Sequence, residues 1–386
     1  ALLTAVAEKR IAAADIPADL VRQLQNLKDP ELDQMLVETW GQVRSTPEDK
    51  AKLIAELRDL VKNPPAAPDM ELGRAVFVKT CQQCHTLYGV GAKIGPDLTG
   101  SNRSDLEYLL SNIVDPSSVI SKDYQQTVVL TIDGLVVSGL LKAEDDNSIT
   151  LQTTTEEVVI PKDEIEDRQL SDASMMPDDQ LKQFSPHQIV SLFAYLAGKG
   201  QTPILAAKDN TELFFNGKDL TGWSGNPDLW YVEDGEIVGR SPGLKHNEFL
   251  FSDWAAEDFT LTFEVKLHKD NGQGNSGVQF RSERLENGEA KGYQADIGRG
   301  WWGKLYEESG RALLWDKSGE EFVEQGDWNE YKIVARGSRI QTWINGQPCV
   351  DLDDPEGARR GVFALQLHSG GPMEVRFRNV KLEVAE

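Results

Sequence analysis

The sequence is short of cysteine, of positive charge and of long apolar runs, and each shortage excludes something. It holds three cysteines among 386 residues. A zinc site built on Cys81 and Cys84 would need a second pair of ligands, yet the only other cysteine, Cys349, lies about 265 residues further on. Lys and Arg number 40 against 63 Asp and Glu, a formal charge of −23. Such a surface argues against nucleic acid or an anionic membrane as partner and favours a basic or neutral one. The deficit lies late: residues 1–68 carry 9 basic and 11 acidic side chains, residues 69–200 carry 10 and 20, and residues 201–386 carry 21 and 32. No apolar run approaches the roughly 18 residues of a membrane span. The opening Ala1-Leu2-Leu3 stretch lacks the basic start of a signal peptide and is not headed by Met, so the chain reads as a mature or excised fragment of a longer precursor.

Against this sparse background stands Cys81-Gln82-Gln83-Cys84-His85. Two cysteines three apart followed at once by histidine form the attachment signature of c-type haem, in which both thiols add to the porphyrin vinyls and the histidine ligates iron. A redox CxxC or half of a zinc site is the plainer reading, and the absent second ligand pair weighs against the latter. Leu72, Val76 and Phe77 at helical spacing predict a short helix that delivers the cysteines, and Gly95-Pro96-Asp97-Leu98-Thr99-Gly100 reads as a rigid turn that wraps the haem. Covalent attachment happens outside the cytoplasm, so the motif implies a periplasmic or extracellular protein. Iron takes a second axial ligand unless it is left open. Met176 is favoured, because Pro177 fixes the backbone where the sulfur must project; Met175 is the alternative one residue away. His187, in the first turn of a helix behind Ser185-Pro186, reads as solvated.

The chain is too long for one ordinary domain. Residues 1–66 read as short amphipathic helices ending in a Pro-rich linker, the tail of a helical-repeat array. Residues 67–203 read as the haem domain, interrupted at about 124–170, where the apolar period changes to two around an Asp133-Gly134 hairpin. This β insertion of about four strands carries 10 acidic against 3 basic side chains between 125 and 170. From Leu213 onward about a dozen strands succeed one another, so residues 204–386 read as an all-β jelly-roll sandwich. The fold class is therefore multidomain α + β. Cys349, in an apolar-polar strand, reads as buried rather than reactive.

Strand alternation sorts the last domain's chemistry. Val278 and Phe280 point to the core, leaving Gln279 and Arg281 on the other face. Gln294 and Asp296 share a face, as do Gln366 and His368, and Arg376 and Arg378 alternate likewise in the last strand. With Trp301, Trp302 and Tyr306 beside them, these amides, guanidiniums, carboxylate and imidazole read as a sugar-binding surface: planar polar groups pair with hydroxyls, and rings cover a pyranose. The plainer reading is a solvated outer sheet.

Residues 69–200 resemble the haem-binding domain of the Planctomycetes and Verrucomicrobia type, in which CxxCH, GPDLTG, an Asp-Pro before an inserted β unit and a late Met-Pro recur in that order. The resemblance implies a class I-like α-helical cytochrome c with one covalent haem c ligated by His85 and Met176. Residues 211–386 resemble the 3-keto-disaccharide hydrolase domain family, through FFNGKDLTGW, NSGVQFRS, KGYQADIG, GKLYEE, WNEYKI, LQLHSGG and FRNVKL. Many members carry Glu where this chain has Gln294, which moves the acid-base group to Asp296 or Glu307, or removes it.

Together these readings give an electron-carrying cytochrome fused to a domain that binds and cleaves 3-keto-glycosides. A base such as His368 or Asp296 removes the C2 proton, and Arg281 or a divalent metal stabilises the enolate. A dehydrogenase with a basic docking face would be the electron donor, and a saccharide the ligand. Two alternatives stand beside it: a cytochrome anchored to polysaccharide by a non-catalytic module, and a peroxidase with an open iron.

Overall fold

The computed structural model describes residues 2–268 and 274–384. It divides into two compact units, Ala1–Gln201 and Thr202–Glu386. Among the described residues no helix is long and apolar enough to cross a membrane.

Among its described residues the first unit has seven α-helices, α1 Leu2–Ala7, α2 Ala18–Gln25, α3 Pro30–Thr39, α4 Glu48–Lys62, α5 Met70–Thr80, α6 Leu106–Val114 and α7 Pro186–Ala197, of which α2, α5, α6 and α7 help to wall one cavity. Local sequence sets their starts. Asp69 and Asp105 accept hydrogen bonds from the first-turn amides of α5 and α6, and Ser185 with Gln188 makes a reciprocal cap on α7 behind Pro186. Helices α5 and α7 cross at Gly73, where a Cβ would lie 2.1 Å from the Ser191 carbonyl oxygen, so only glycine allows that approach. Ile54 and Leu57 of α4 join Phe77, Leu110, Leu192 and Phe193 in one buried cluster.

The Pro-rich linker lies inside this unit rather than at its edge. Trp40 is buried among Ile16, Val21, Leu36 and Val119 and donates its indole N–H to the Ile16 carbonyl. The strand Gly41–Val43 pairs with Val119–Ser121. Helices that read as a separate repeat-like segment thus share a core with residues beyond the linker.

The inserted sheet has five antiparallel strands, Gln125–Thr131, Val136–Glu144, Ser148–Gln152, Glu157–Pro161 and Ile165–Ser174, with the last paired to the first. Val129, Ile149, Leu151 and Ile160 form its core. The insertion runs past the expected 170 to Ser174. That closing strand is an edge with no buried residue, so Glu166, Asp167 and Asp172 give it no apolar alternation to read.

The second unit is a sandwich of a seven-stranded and an eight-stranded sheet. Phe259 of the first sheet meets Phe280 and Phe363 of the second at centroid distances of 5.9 and 4.9 Å, and Tyr293 stacks on Phe280 at 5.4 Å. These rings show which face of the eight-stranded sheet looks into the core. All its pairings are antiparallel save Ile204–Leu205, which runs parallel to Trp254–Ala255. Cys349 is buried on a strand of the seven-stranded sheet, as its pattern predicts, and burial pushes its thiol up.

Candidate functional site

Three adjacent strands of the eight-stranded sheet, Ala290–Gly298, Asn275–Arg284 and Gly361–Leu367, send Phe280, Tyr293, Ala295, Ile297, Leu365 and Leu367 inward. Alternation then puts Gln279, Gln294, Asp296 and Gln366 together on the opposite face. The register agrees: Gln279 opposes Gln294, and Gly277 opposes both Asp296 and Gln366. A Cβ at Gly277 would sit 2.4 Å from the Gln294 side chain, so this glycine makes room for the amide.

The four side chains are 0 to 3 % exposed. Three are wired in one direction: the Ser282 hydroxyl donates to Gln279 Oε1 at 2.8 Å, Gln279 Nε2 to Gln294 Oε1 at 2.7 Å, and Gln294 Nε2 to Asp296 Oδ1 at 2.7 Å. The relay ends on a carboxylate whose other oxygen is buried without a partner, next to a Gln366 amide with neither end paired. Buried polar atoms left unpaired are costly and call for an explanation such as a ligand. Burial pushes the Asp296 carboxyl up to about 7, with Glu308 repelling its charge and Gln294 and Lys304 favouring it.

The neighbouring strand Leu305–Glu308 adds Tyr306 opposite Gln294 and Glu308 opposite Gly292. Glu308 is raised as well, by burial and by Glu289, while the nearby His368 pulls the other way. His368 is half-buried and its Nδ1 contacts the Ser369 carbonyl at 2.7 Å. Trp301, 36 % exposed, meets Tyr306 edge to face at 6.2 Å. The expected residues Gln294, Asp296, Trp301, Tyr306, Gln366 and His368 therefore belong to one neighbourhood of the sheet. Glu308 was missed, although its place next to Glu307 in the strand fixes its face.

Four expected members lie elsewhere. Arg281 sits at a β-bulge with φ +47°, which breaks the alternation used to place it. Its guanidinium binds the carbonyls of Glu257, Gly337 and Ala358 and the Asp258 carboxylate. Glu307 points away from Tyr306 and Glu308, paired through Arg311 with Asp354, which also accepts from the Tyr293 hydroxyl. Trp302 is buried at 2 % exposed, against 36 % for its neighbour Trp301, and does not stand on the surface beside it. Arg378 lies in the seven-stranded sheet, paired with Glu264 and stacked 4.0 Å from the Trp328 ring. No cluster of three or more His, Cys, Asp or Glu among the described residues is arranged to hold a metal.

The first unit has its own candidate site. Cys81, Cys84, His85, Met175 and Met176 line one cavity, otherwise walled mainly by apolar groups such as Ile94, Leu109 and Leu192. Ile16 and Trp40, from the segment before the linker, close part of it. His85 Nδ1 contacts the Pro96 carbonyl at 2.9 Å; that contact needs the proton on Nδ1, leaving Nε2 as a lone-pair donor. Gly95 lies against the ring, where a Cβ would come within 2.6 Å of Cε1. The turn is held by Leu98 N–H on the Thr86 carbonyl and by Tyr88 N–H on Thr99 Oγ1. His187 is not part of this cavity; its Nε2 contacts the Ala67 carbonyl at 3.0 Å.

The second unit thus has the architecture of a two-sheet β-sandwich with a buried polar face. Residues 210–383 match the model of the 3-keto-alpha-glucoside-1,2-lyase-like domain family. Among solved structures, the carbohydrate-binding module CBM66 from Bacillus subtilis is 21 % identical, with 42 % of this chain and 95 % of that one covered at a TM-score of 0.35. A candidate glycosyl hydrolase from Parabacteroides distasonis is 20 % identical, with 48 % and 100 % covered at a TM-score of 0.36. No curated protein matches the chain.

Proposed function

We propose that the second unit binds a glycoside oxidised to a ketone at C3 and expels its C1 substituent by elimination, with Asp296 as the base. The observation that carries this reading is the Asp296 carboxyl. It is buried, raised to about 7, held through one oxygen by Gln294 and unpaired at the other. A general base works best when its pKa lies near the working pH. The ketone acidifies the C2 proton; Asp296 takes it, the electron pair forms an enolate, and the enolate returns to form the C1–C2 double bond as the C1–O bond breaks. Gln366, free at both ends, would donate to the enolate oxygen. Glu308, kept protonated longer by burial, would give its proton to the departing oxygen. The family match over 210–383 supports this substrate class.

For the first unit we propose one covalent haem c. The cavity's residues suit it: Cys81 and Cys84 as the thioether attachments, His85 Nε2 as one axial ligand, and Met176 or its neighbour Met175 as the other. When bound, the group supplies one-electron transfer. The protein would then work outside the cytoplasm, in the periplasm or beyond the cell. Making a 3-ketone from a secondary alcohol releases two electrons and two protons, so a partner dehydrogenase acting on the parent sugar would give its electrons to this unit. The decisive experiment is incubation of the full chain with a 3-keto-glucoside and with the parent glucoside. Release of the C1 alcohol from the first alone supports the elimination; binding without release would make the second unit a carbohydrate-binding module.

A further inference from the structure

The segment carrying Met175 and Met176 is tied at both ends to one turn. Ahead of it, the Ser174 backbone N–H donates to Ser117 Oγ at 3.1 Å. Behind it, Asp178 Oδ2 accepts from Lys50 Nζ at 2.8 Å, and the same ammonium donates to Asp115 Oδ1 at 2.9 Å. Asp115 and Ser117 belong to the turn Asp115-Pro116-Ser117-Ser118, closed by the Ser118 hydroxyl on the Asp115 carbonyl at 2.7 Å. Pro116 of this turn lines the same cavity as the methionines.

We infer that Lys50 is a positioning residue for the methionine ligand: it bridges the buried turn to Asp178 and so holds the methionine segment against the cavity. The inference rests on the reading of a methionine as the sixth ligand. The Asp115 carboxylate is fully buried, and Arg44 grips it independently through Nη1 and Nη2 at 3.2 and 2.8 Å. Removing Lys50 therefore leaves the buried carboxylate paired with Arg44, so the turn survives while Asp178, about half exposed, loses its tether. Lysine suits this role because one ammonium offers three donors and needs no fixed plane to reach two carboxylates.

The test uses the full-length haem-loaded protein and two readouts: the near-infrared sulfur-to-iron band of the oxidised form, and the affinity for added imidazole, which competes for the sixth position. Apparent affinity scales with the fraction of molecules whose methionine is released. Loss of one part-exposed ion pair should raise that fraction, and hence imidazole affinity, by up to about fivefold. In Lys50→Ala the band should weaken as imidazole affinity rises. Asp178→Asn, which leaves Asp115 untouched, should reproduce the Lys50→Ala result. A merely structural lysine would lower thermal stability and leave imidazole affinity unchanged. A wild-type band with wild-type imidazole affinity in both variants overturns the inference alone. Absence of the band from the wild type overturns the methionine reading and the inference with it.

Discussion

Gln294 donates to Asp296 across 2.7 Å, two residues apart on one strand, and leaves the second oxygen of that carboxylate unpaired. The contact favours the charged form but does not outweigh burial, and the carboxyl settles at about 7. The amide orients the group while the surroundings set its basicity.

The pH dependence of turnover follows from that value. The base Asp296 must be deprotonated and the acid Glu308 protonated, so kcat/KM for a 3-keto-glucoside should be bell-shaped in pH, with an acid limb that rises about tenfold per pH unit and an alkaline limb that falls. Stability should move opposite to the acid limb. A carboxyl raised in the folded state contributes stability that is present below its unfolded value near 4 and is lost as pH rises through about 7. Asp296→Asn should remove the acid limb and flatten the stability curve, with unfolding followed in urea from pH 4 to 8; an unchanged turnover profile would remove Asp296 from the chemistry.

Glu307 and Glu308 should separate cleanly. Glu308→Gln should cut turnover by roughly a hundredfold, the scale of general acid catalysis, with little change in melting temperature. Glu307→Gln should lower stability, because Arg311 would keep only Asp354 of its two carboxylates, and should leave turnover near wild type. Steady-state kinetics beside thermal melts decide the matter, and a reversed pattern would mean that the strand is turned over.

Arg281→Ala should destabilise the second unit by roughly 2–4 kcal/mol, since three carbonyls and Asp258 lose the buried guanidinium that joins them. Sugar affinity in the surviving folded protein should not change. Chemical denaturation and ligand titration of the same variant give the two numbers.

Where the sequence was legible, it was so through periodicity. Val278 and Phe280 point inward as their spacing requires, and with them the faces of Gln294, Asp296 and Gln366 are fixed. Arg281 was misplaced because a bulge is one extra residue, invisible to a period of two until the chain adopts φ +47° there. Trp302 was misplaced because adjacent tryptophans in a turn carry no sign of which is buried. Arg378 shares an alternation with Arg376, and alternation says nothing about which sheet a strand joins. The bridge through Lys50 was illegible for another reason: Asp115 and Asp178 lie 65 and 128 residues away from it in the chain.

The first unit's surface charge predicts a salt-dependent partner. Residues 69–200 carry 20 acidic against 10 basic side chains, so electron transfer from a basic donor should slow as ionic strength rises from about 10 to about 150 mM, over which screening shortens the field from roughly 30 to 8 Å. Stopped-flow reduction of the haem-loaded chain at several salt concentrations measures this. A rate indifferent to salt would rule out docking by charge.

The most direct measurement takes the wild-type full chain and Asp296→Asn through the same assay, with a 3-keto-glucoside bearing a chromogenic C1 substituent. The account predicts release of that substituent by the wild type, a loss of about a hundredfold or more in Asp296→Asn with sugar affinity largely kept, and no release from the parent glucoside by either protein. Wild-type binding without release, or equal release by both proteins, would contradict it.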